Sequence, residues 1–329
     1  MDIHALPLEL LDVVCDHVPF ADLVAFGRCN SSLYQITQRR IYRHLSVSVM
    51  SRNLSVIVTL AKSRATAQHV RTLTARLDSF TAPFNTLYCY LAKALSFMTE
   101  LTSLDLFVDI DASWILQGIG NYGLPRLRHF SCSFPFDHHV AQFLNSTNAL
   151  EELSLEAIIP ETNPPAPPSL HPLSLPRLSQ FNGSSQTAQA IVPGRPVTTI
   201  ALTTGDLTDS VVETLARSTA HVDYLTATTS SLAVPLLGSL SRHMRKLVFL
   251  SLSPTYSFSA PPDVTFYEEV AGALGSLPDL KVFELGGMRW GSCTKPDNED
   301  ERIWQSKPLS GVINAAPIDD LYADSFFAY

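Results

Sequence analysis

Residues 127–155 read LRHFSCSFPFDHHVAQFLNSTNALEELSL. Both ends share one form: an apolar residue, two variable ones, an apolar, a variable, then a small or apolar residue. That alternation suits a short strand with one buried face. The DHHVAQFLNST between them has the spacing of an amphipathic helix. The six-residue form recurs along the chain as VRTLTA from Val70, LTSLDL from Leu101, LSQFNG from Leu178, VTTIAL from Val197, VDYLTA from Val222, LVFLSL from Leu247 and LKVFEL from Leu280. Helix-spaced stretches stand between several of these units: DASWILQGI, LTDSVVETLARS, AVPLLGSLSRH and FYEEVAGALGSL. Strand, loop, helix and return loop make one turn of a solenoid with a parallel sheet, and no unit can bury its apolar side alone.

The unit starts lie 19 to 33 residues apart, and most fall in or near the leucine-rich-repeat period of about 20 to 29. Residues 65–290 resemble that family. No unit has the family's asparagine after the strand, where Asp109, Pro135, Ile158, Gly205 and Thr255 stand instead. An asparagine ladder is therefore not expected. The resemblance implies an α/β fold, a leucine-rich-repeat-like horseshoe solenoid with a parallel sheet. Leu104, Leu106, Leu153, Leu155, Leu250 and Leu252 are expected to face its interior. The intervening positions would line the concave face: Asp105, Phe107, His129, Glu152, Ser154, Glu156, Tyr224, Thr226, Phe249, Ser251 and Glu284. For a bound protein target the strongest candidates are the aromatics Phe107, Tyr224 and Phe249, since rigid rings dominate interface hot spots. The acids Asp105, Glu152, Glu156 and Glu284 outnumber the single His129 and lean towards a target with a basic patch.

Ahead of the array, LPLELLDVVCDHV at 6–18 predicts a helix from about Pro7 to His17, with Leu10, Leu11, Val14 and Val18 on one face. Pro19 ends it. ADLVAFGRC supplies a second short helix through Leu23, Val24 and Phe26, and Asn30 is placed to cap a third, NSSLYQITQRR. So small a bundle exposes apolar side chains that seek a partner. From Leu6-Pro7-x-Glu9-Leu10 through Asp22-Leu23 to Ile41-Tyr42-Arg43-His44-Leu45, it resembles an F-box, above all those of the large fungal families. That resemblance implies docking on a Skp-type adaptor, and through it on a cullin-RING ubiquitin ligase. The matching positions are Leu6, Pro7, Leu10, Leu11, Val14, Leu23, Val24 and Phe26. His17 and Gly27 depart from the family pattern.

Composition bounds the rest. With 46% hydrophobic and 16% charged residues the chain suits a packed globular protein. Its net charge of −8, pI near 5.6 and scattered basic residues, clustered only at Arg39, Arg40, Arg43 and His44, argue against a nucleic-acid partner. The acidic, unsignal-like start and the lack of an apolar run near ~20 residues argue against a membrane and suggest a cytoplasmic or nuclear protein. Cys15, Cys29, Cys89, Cys132 and Cys293 fit neither a disulfide framework nor a zinc site. The N-x-[ST] sequons at Asn30, Asn53, Asn145 and Asn182 are read as accidental. Gly118-x-Gly120-x-x-Gly123 satisfies a dinucleotide-binding pattern, but a helix precedes it and a strand follows, the reverse of what pyrophosphate binding needs. His138 and His139 are expected to point apart, with Asp137 as an N-cap rather than a metal ligand. No P-loop or nucleophile elbow occurs, so no cofactor, metal or catalytic residue is expected.

The expected division is 1–45 F-box module, 46–69 connecting strand and helix, 70–292 repeat array and 293–329 tail, with KPDNEDER from Lys295 as an acidic turn. Residues 160–176, with seven prolines, are expected to form a loop, and Pro164 and Pro167 fit P-x-x-P. The functional expectation is a non-enzymatic substrate receptor holding an unidentified protein target. The alternative is a ligase-independent binding scaffold.

Overall fold

A computed structural model describes residues 7–77, 85–119, 123–156, 168–256, 264–295 and 298–307. The chain divides into two compact units, Met1–Thr204 with Arg217–Ala220, and Gly205–Ala216 with His221–Tyr329.

The first unit opens with three helices, α1 (Leu8–His17), α2 (Phe20–Arg28) and α3 (Ser31–Arg43). Val18 is extended, φ −78° and ψ 128°, as the residue before a proline must be, and this ends α1. Leu11, Cys15, Leu23, Leu33 and Ile36 form the core of this bundle, with Val18, Phe26 and Ile41 against it. At Gly27 α2 crosses α3 so closely that a Cβ would stand 2.4 Å from Thr37 Oγ1. That contact accounts for a glycine where a better helix former was expected.

The F-box-like stretch was expected to run to Leu45, but His44 and Leu45 belong to strand β1 (His44–Ser48), pairing with Thr72 and Leu73. Their main chain is held by the sheet, so the bundle ends with α3. After β1 comes α4 (Ser55–Lys62), so the connecting segment holds the expected strand and helix, and a second short helix, α5 (Arg64–Ala67), follows. Strands β2 (Thr72–Arg76), β3 (Ser103–Phe107), β4 (His129–Cys132), β5 (Glu152–Leu155), β6 (Gln180–Ser184) and β7 (Thr199–Thr204) follow. Every neighbour pairing from β1 to β7 is parallel and in chain order. Between them run α6 (Asn85–Phe97), a 3-10 segment (Ile110–Leu116), α7 (His138–Asn145) and α8 (Ser185–Ile191).

The second unit contains α9 (Asp209–Leu215), β8 (Tyr224–Thr229), α10 (Ala233–His243), β9 (Phe249–Pro254), α11 (Val264–Leu274) and β10 (Val282–Leu285). Its strands β8, β9 and β10 pair in parallel. An antiparallel hairpin then closes the edge, β11 (Met288–Lys295) on β10 and β12 (Asn298–Lys307) on β11. The expected boundary at residue 293 therefore falls inside β11, and the expected acidic turn from Lys295 is mostly strand. Trp290 explains the difference. It is 1% exposed and stacks 5.2 Å from Phe283 and 6.0 Å from Tyr267, so the hairpin covers the apolar end of this unit.

All nine quoted units begin two residues before a strand, and their fourth positions are buried: Leu73, Leu104, Phe130, Leu153, Phe181, Ile200, Leu225, Leu250 and Phe283. The six leucines expected inside are all at most 4% exposed. Hydroxyls do locally what an asparagine ladder would. Ser133 donates to Val108 O at 2.7 Å and accepts from Val108 N at 3.2 Å, and buried Thr229 donates to Leu207 O at 3.1 Å. These pairings satisfy post-strand backbone groups that burial would otherwise leave costly.

Candidate functional site

Two surfaces of the first unit carry most of the residues singled out from sequence. On the helical bundle, Leu11 and Leu23, expected to face an adaptor, are instead 4% and 2% exposed inside the bundle's own core. Phe26 is half-buried against that core, and Leu6 lies outside the described residues. Pro7 is exposed, as are Leu10 (51%), Val14 (39%) and Val24 (49%). Three neighbours not singled out join them: Val13 at 54%, Phe20 at 66% and Tyr34 at 54%. Leu10, Val13 and Val14 are one turn apart on α1, and Phe20 and Val24 are one turn apart on α2. Each helix therefore presents an unpaired apolar stripe. The signal for it was present, because α1 is apolar on more sides than one core can cover.

On the strands, the residues alternating with the core form a polar face. His129 Nε2 lies 3.1 Å from Asp105 Oδ1 and its Nδ1 lies 2.9 Å from Glu152 Oε2. Asp105 also accepts from Thr74 Oγ1 at 2.9 Å, and Asn182 Nδ2 donates to Ser154 Oγ at 3.2 Å. One hydrogen-bonded chain thus runs across β2, β3, β4 and β5, fixed by the Thr74↔Asp105 and His129↔Glu152 register. The Asp105 hydrogen bond holds the His129 pKa above its ordinary value; burial opposes this and Glu152 reinforces it. Both ring nitrogens face carboxylate oxygens, so protonation lets the ring donate to Asp105 and Glu152 together. At the strand ends Arg76 stacks on Phe107 with its guanidinium carbon 5.1 Å from the ring centre, and Glu156 is exposed.

No family model matches this chain, and no curated protein matches it either.

In the second unit Tyr224 and Phe249 are register partners with ring centroids 6.2 Å apart, both partly exposed. Phe107 belongs to the other unit. The candidate residues therefore form two separate groups, one acidic and hydrogen-bonded, one aromatic. In each, the strand residues that alternate with the group are buried in the core.

Other sequence candidates resolve in structural terms. Asp137 caps α7, accepting from Val140 N at 2.9 Å, and also accepts from Ser113 Oγ. His138 and His139, expected to point apart, have ring centroids 3.8 Å apart and tilted at the start of α7. Asp109 caps the 3-10 segment through Asp111 N. That segment precedes Gly118, and among the described residues the next element after it is β4, not a helix. Among the described residues no group of three His, Cys, Asp or Glu side chains is placed to hold a metal ion, and no helix is long and apolar enough to cross a membrane. Burial pushes the Cys132 thiol up to about 12, which leaves it unreactive near neutral pH. The Pro164–Pro167 motif lies outside the described residues.

A feature missed from sequence is a gathering of arginines. Arg71, Arg126, Arg128 and Arg177 line one cleft, although basic residues are scattered along the chain. The Pro-Arg-Leu triplets at 125–127 and 176–178, each opening a repeat unit, were the available signal.

Proposed function

We propose that this chain is a substrate receptor of a Skp-cullin-F-box ubiquitin ligase. An F-box-like N-terminal module docks on a Skp-type adaptor, and a leucine-rich-repeat-like horseshoe solenoid holds a protein target. The observation that carries this proposal is the pair of apolar stripes on α1 and α2. A bundle that already buries Leu11, Cys15, Leu23, Leu33 and Ile36 leaves Leu10, Val13, Val14, Phe20 and Val24 in solvent. Several large apolar side chains left exposed along the helices of so small a bundle support an interaction site. The parallel repeating strands behind it offer the extended surface a target needs. Catalysis then belongs to other subunits, and the receptor acts by raising the local concentration of target lysines near the transferred ubiquitin.

Co-expression with a Skp-type adaptor tests this. The adaptor should co-purify with the full chain and be lost when Leu10 and Val24 are both replaced by aspartate. Adaptor retained at the wild-type level by that folded double variant would refute the proposed docking surface. A wild-type chain that never retains adaptor would favour a ligase-independent binding scaffold.

A further inference from the structure

At the N-terminal ends of its strands the first unit has an open cleft of ≈570 Å³ lined by Arg71, Arg126, Arg128 and Arg177, with Thr102 beside them. The chain as a whole carries a net charge of −8. Four guanidinium groups around one cavity therefore run against its overall composition and repel one another. Two carboxylates answer them. Glu100 pairs with Arg71 at 2.6 Å and Arg126 at 2.5 Å, while Glu151 comes no nearer than 3.8 Å to Arg128. Among the described residues, four positive groups less two negative ones leave two positive charges without an offset. Arg177 has no ion pair among the described residues, and Arg126 and Arg128 are 58% and 67% exposed.

The main chain fixes where these side chains start. Arg71 O accepts from Thr102 N at 2.8 Å and Ser103 N at 3.1 Å, and Arg128 O accepts from Glu151 N at 2.8 Å and Glu152 N at 2.9 Å. Glu100 holds Arg71 twice, through its carboxylate and through its main-chain carbonyl at 3.1 Å. An adjoining cavity of ≈470 Å³ shares Arg71 and adds Arg39, Arg40 and Arg43, with Asp12 and Asp16 also on its wall. His69, in that wall, is held below its ordinary pKa, by burial first and then by repulsion from Arg39 and Arg71. The positive potential therefore extends along this edge of the unit.

We propose that the cleft formed by Arg71, Arg126, Arg128 and Arg177 binds a phosphate monoester dianion. Two negative charges match the two left without an offset. Guanidinium forks meet phosphate oxygens bidentately, which a single carboxylate cannot satisfy from several sides at once. Cavities of this size are ordinary for ligand sites. The phosphate comes from a free small molecule or from a phosphorylated side chain of a protein, and the experiment separates these sources. The inference does not depend on the ubiquitin-ligase proposal.

The full chain is melted in rising inorganic phosphate and, separately, in chloride at equal ionic strength. It is then titrated with a phosphoserine peptide and with the same peptide unphosphorylated. A saturable rise in Tm specific to phosphate is expected. It should be lost in the double variant Arg126→Gln with Arg177→Gln, whose circular dichroism must match wild type. Phosphopeptide bound roughly tenfold or more above its unphosphorylated twin, the worth of about one charge-assisted pair, assigns the phosphate to a protein. Inorganic phosphate alone binding assigns it to a small molecule. A rise reproduced by chloride, or one kept by the double variant, overturns the site. The wild-type response decides the matter even if the variant does not fold, because a bound site saturates whereas exclusion of a kosmotropic salt raises Tm without saturating, and a rise that never saturates overturns the site.

Discussion

Replacing Gly27 by alanine tests how the N-terminal bundle is packed. An added Cβ would stand 2.4 Å from Thr37 Oγ1 and 3.3 Å from Thr37 Cβ. Thr37 is 1% exposed, and its hydroxyl donates to Leu33 O at 2.8 Å, so turning it away breaks a buried hydrogen bond. Alanine gains about 1 kcal/mol over glycine in a helix interior. Overpacking costs about 1–3 kcal/mol, and the broken bond about 1 more. The net is a destabilisation of about 1–3 kcal/mol. Hydrogen exchange of α2 and α3 amides in the full chain reads this locally, free of the second unit. Adding Thr37→Ala removes the colliding oxygen, so the double variant should recover at least ~1 kcal/mol relative to additivity. An alanine variant as protected as wild type would show that the two helices do not cross at this distance.

Three further outcomes follow from the packing. Leu250→Ala, at a position with no exposure, should cost about 2–5 kcal/mol in denaturant unfolding; a loss below ~1 kcal/mol would mean that β9 is not packed on a core. The His129 pKa is raised in the folded state, so its stabilisation is complete below the ordinary value of about 6.5 and is lost as pH rises through the higher folded value. The stability advantage of wild type over His129→Gln should therefore shrink as pH climbs, and an advantage that grows would contradict the Asp105–His129–Glu152 arrangement. Arg195 is 4% exposed and donates to Ser174 O at 3.2 Å, Ser174 Oγ at 3.0 Å and His171 O at 3.3 Å. Arg195→Leu should speed proteolysis within 168–178, whereas unchanged cleavage would remove its role as the tether of that loop.

The strands were legible because their signal is local: a period of two with apolar residues at the first, fourth and sixth positions of each unit. Helix α10 was equally legible, running from Ala233 to His243 as its spacing predicts. Helix α8 was not, since SQTAQAI is mostly small and polar and is held by the Ser184 cap and by packing of Ser185, Ala188 and Ile191. The hairpin escaped because its pairing partner, β10, is supplied by the fold. The candidate surfaces divide in the same way. Periodicity showed that α1 and α2 carry surplus apolar residues, but only α3 decides that Leu11 and Leu23 turn inward while Leu10 and Val24 remain outside. The arginine cleft gathers residues from distant repeat units, so the recurring Pro-Arg-Leu triplet hints at it while no single window shows the gathered charge.

The proposed function depends on the exposed stripes of α1 and α2 serving as an adaptor-docking surface. Calorimetric titration of the purified full chain with a purified Skp-type adaptor tests it most directly. The account predicts a saturable one-to-one complex whose affinity falls by about 100-fold or more, on the order of 3 kcal/mol, when Leu10 and Val24 become aspartate. Hydrogen exchange in α3 should stay at the wild-type level in that variant. No complex with the wild-type chain, or an affinity unchanged by the double substitution, would contradict it.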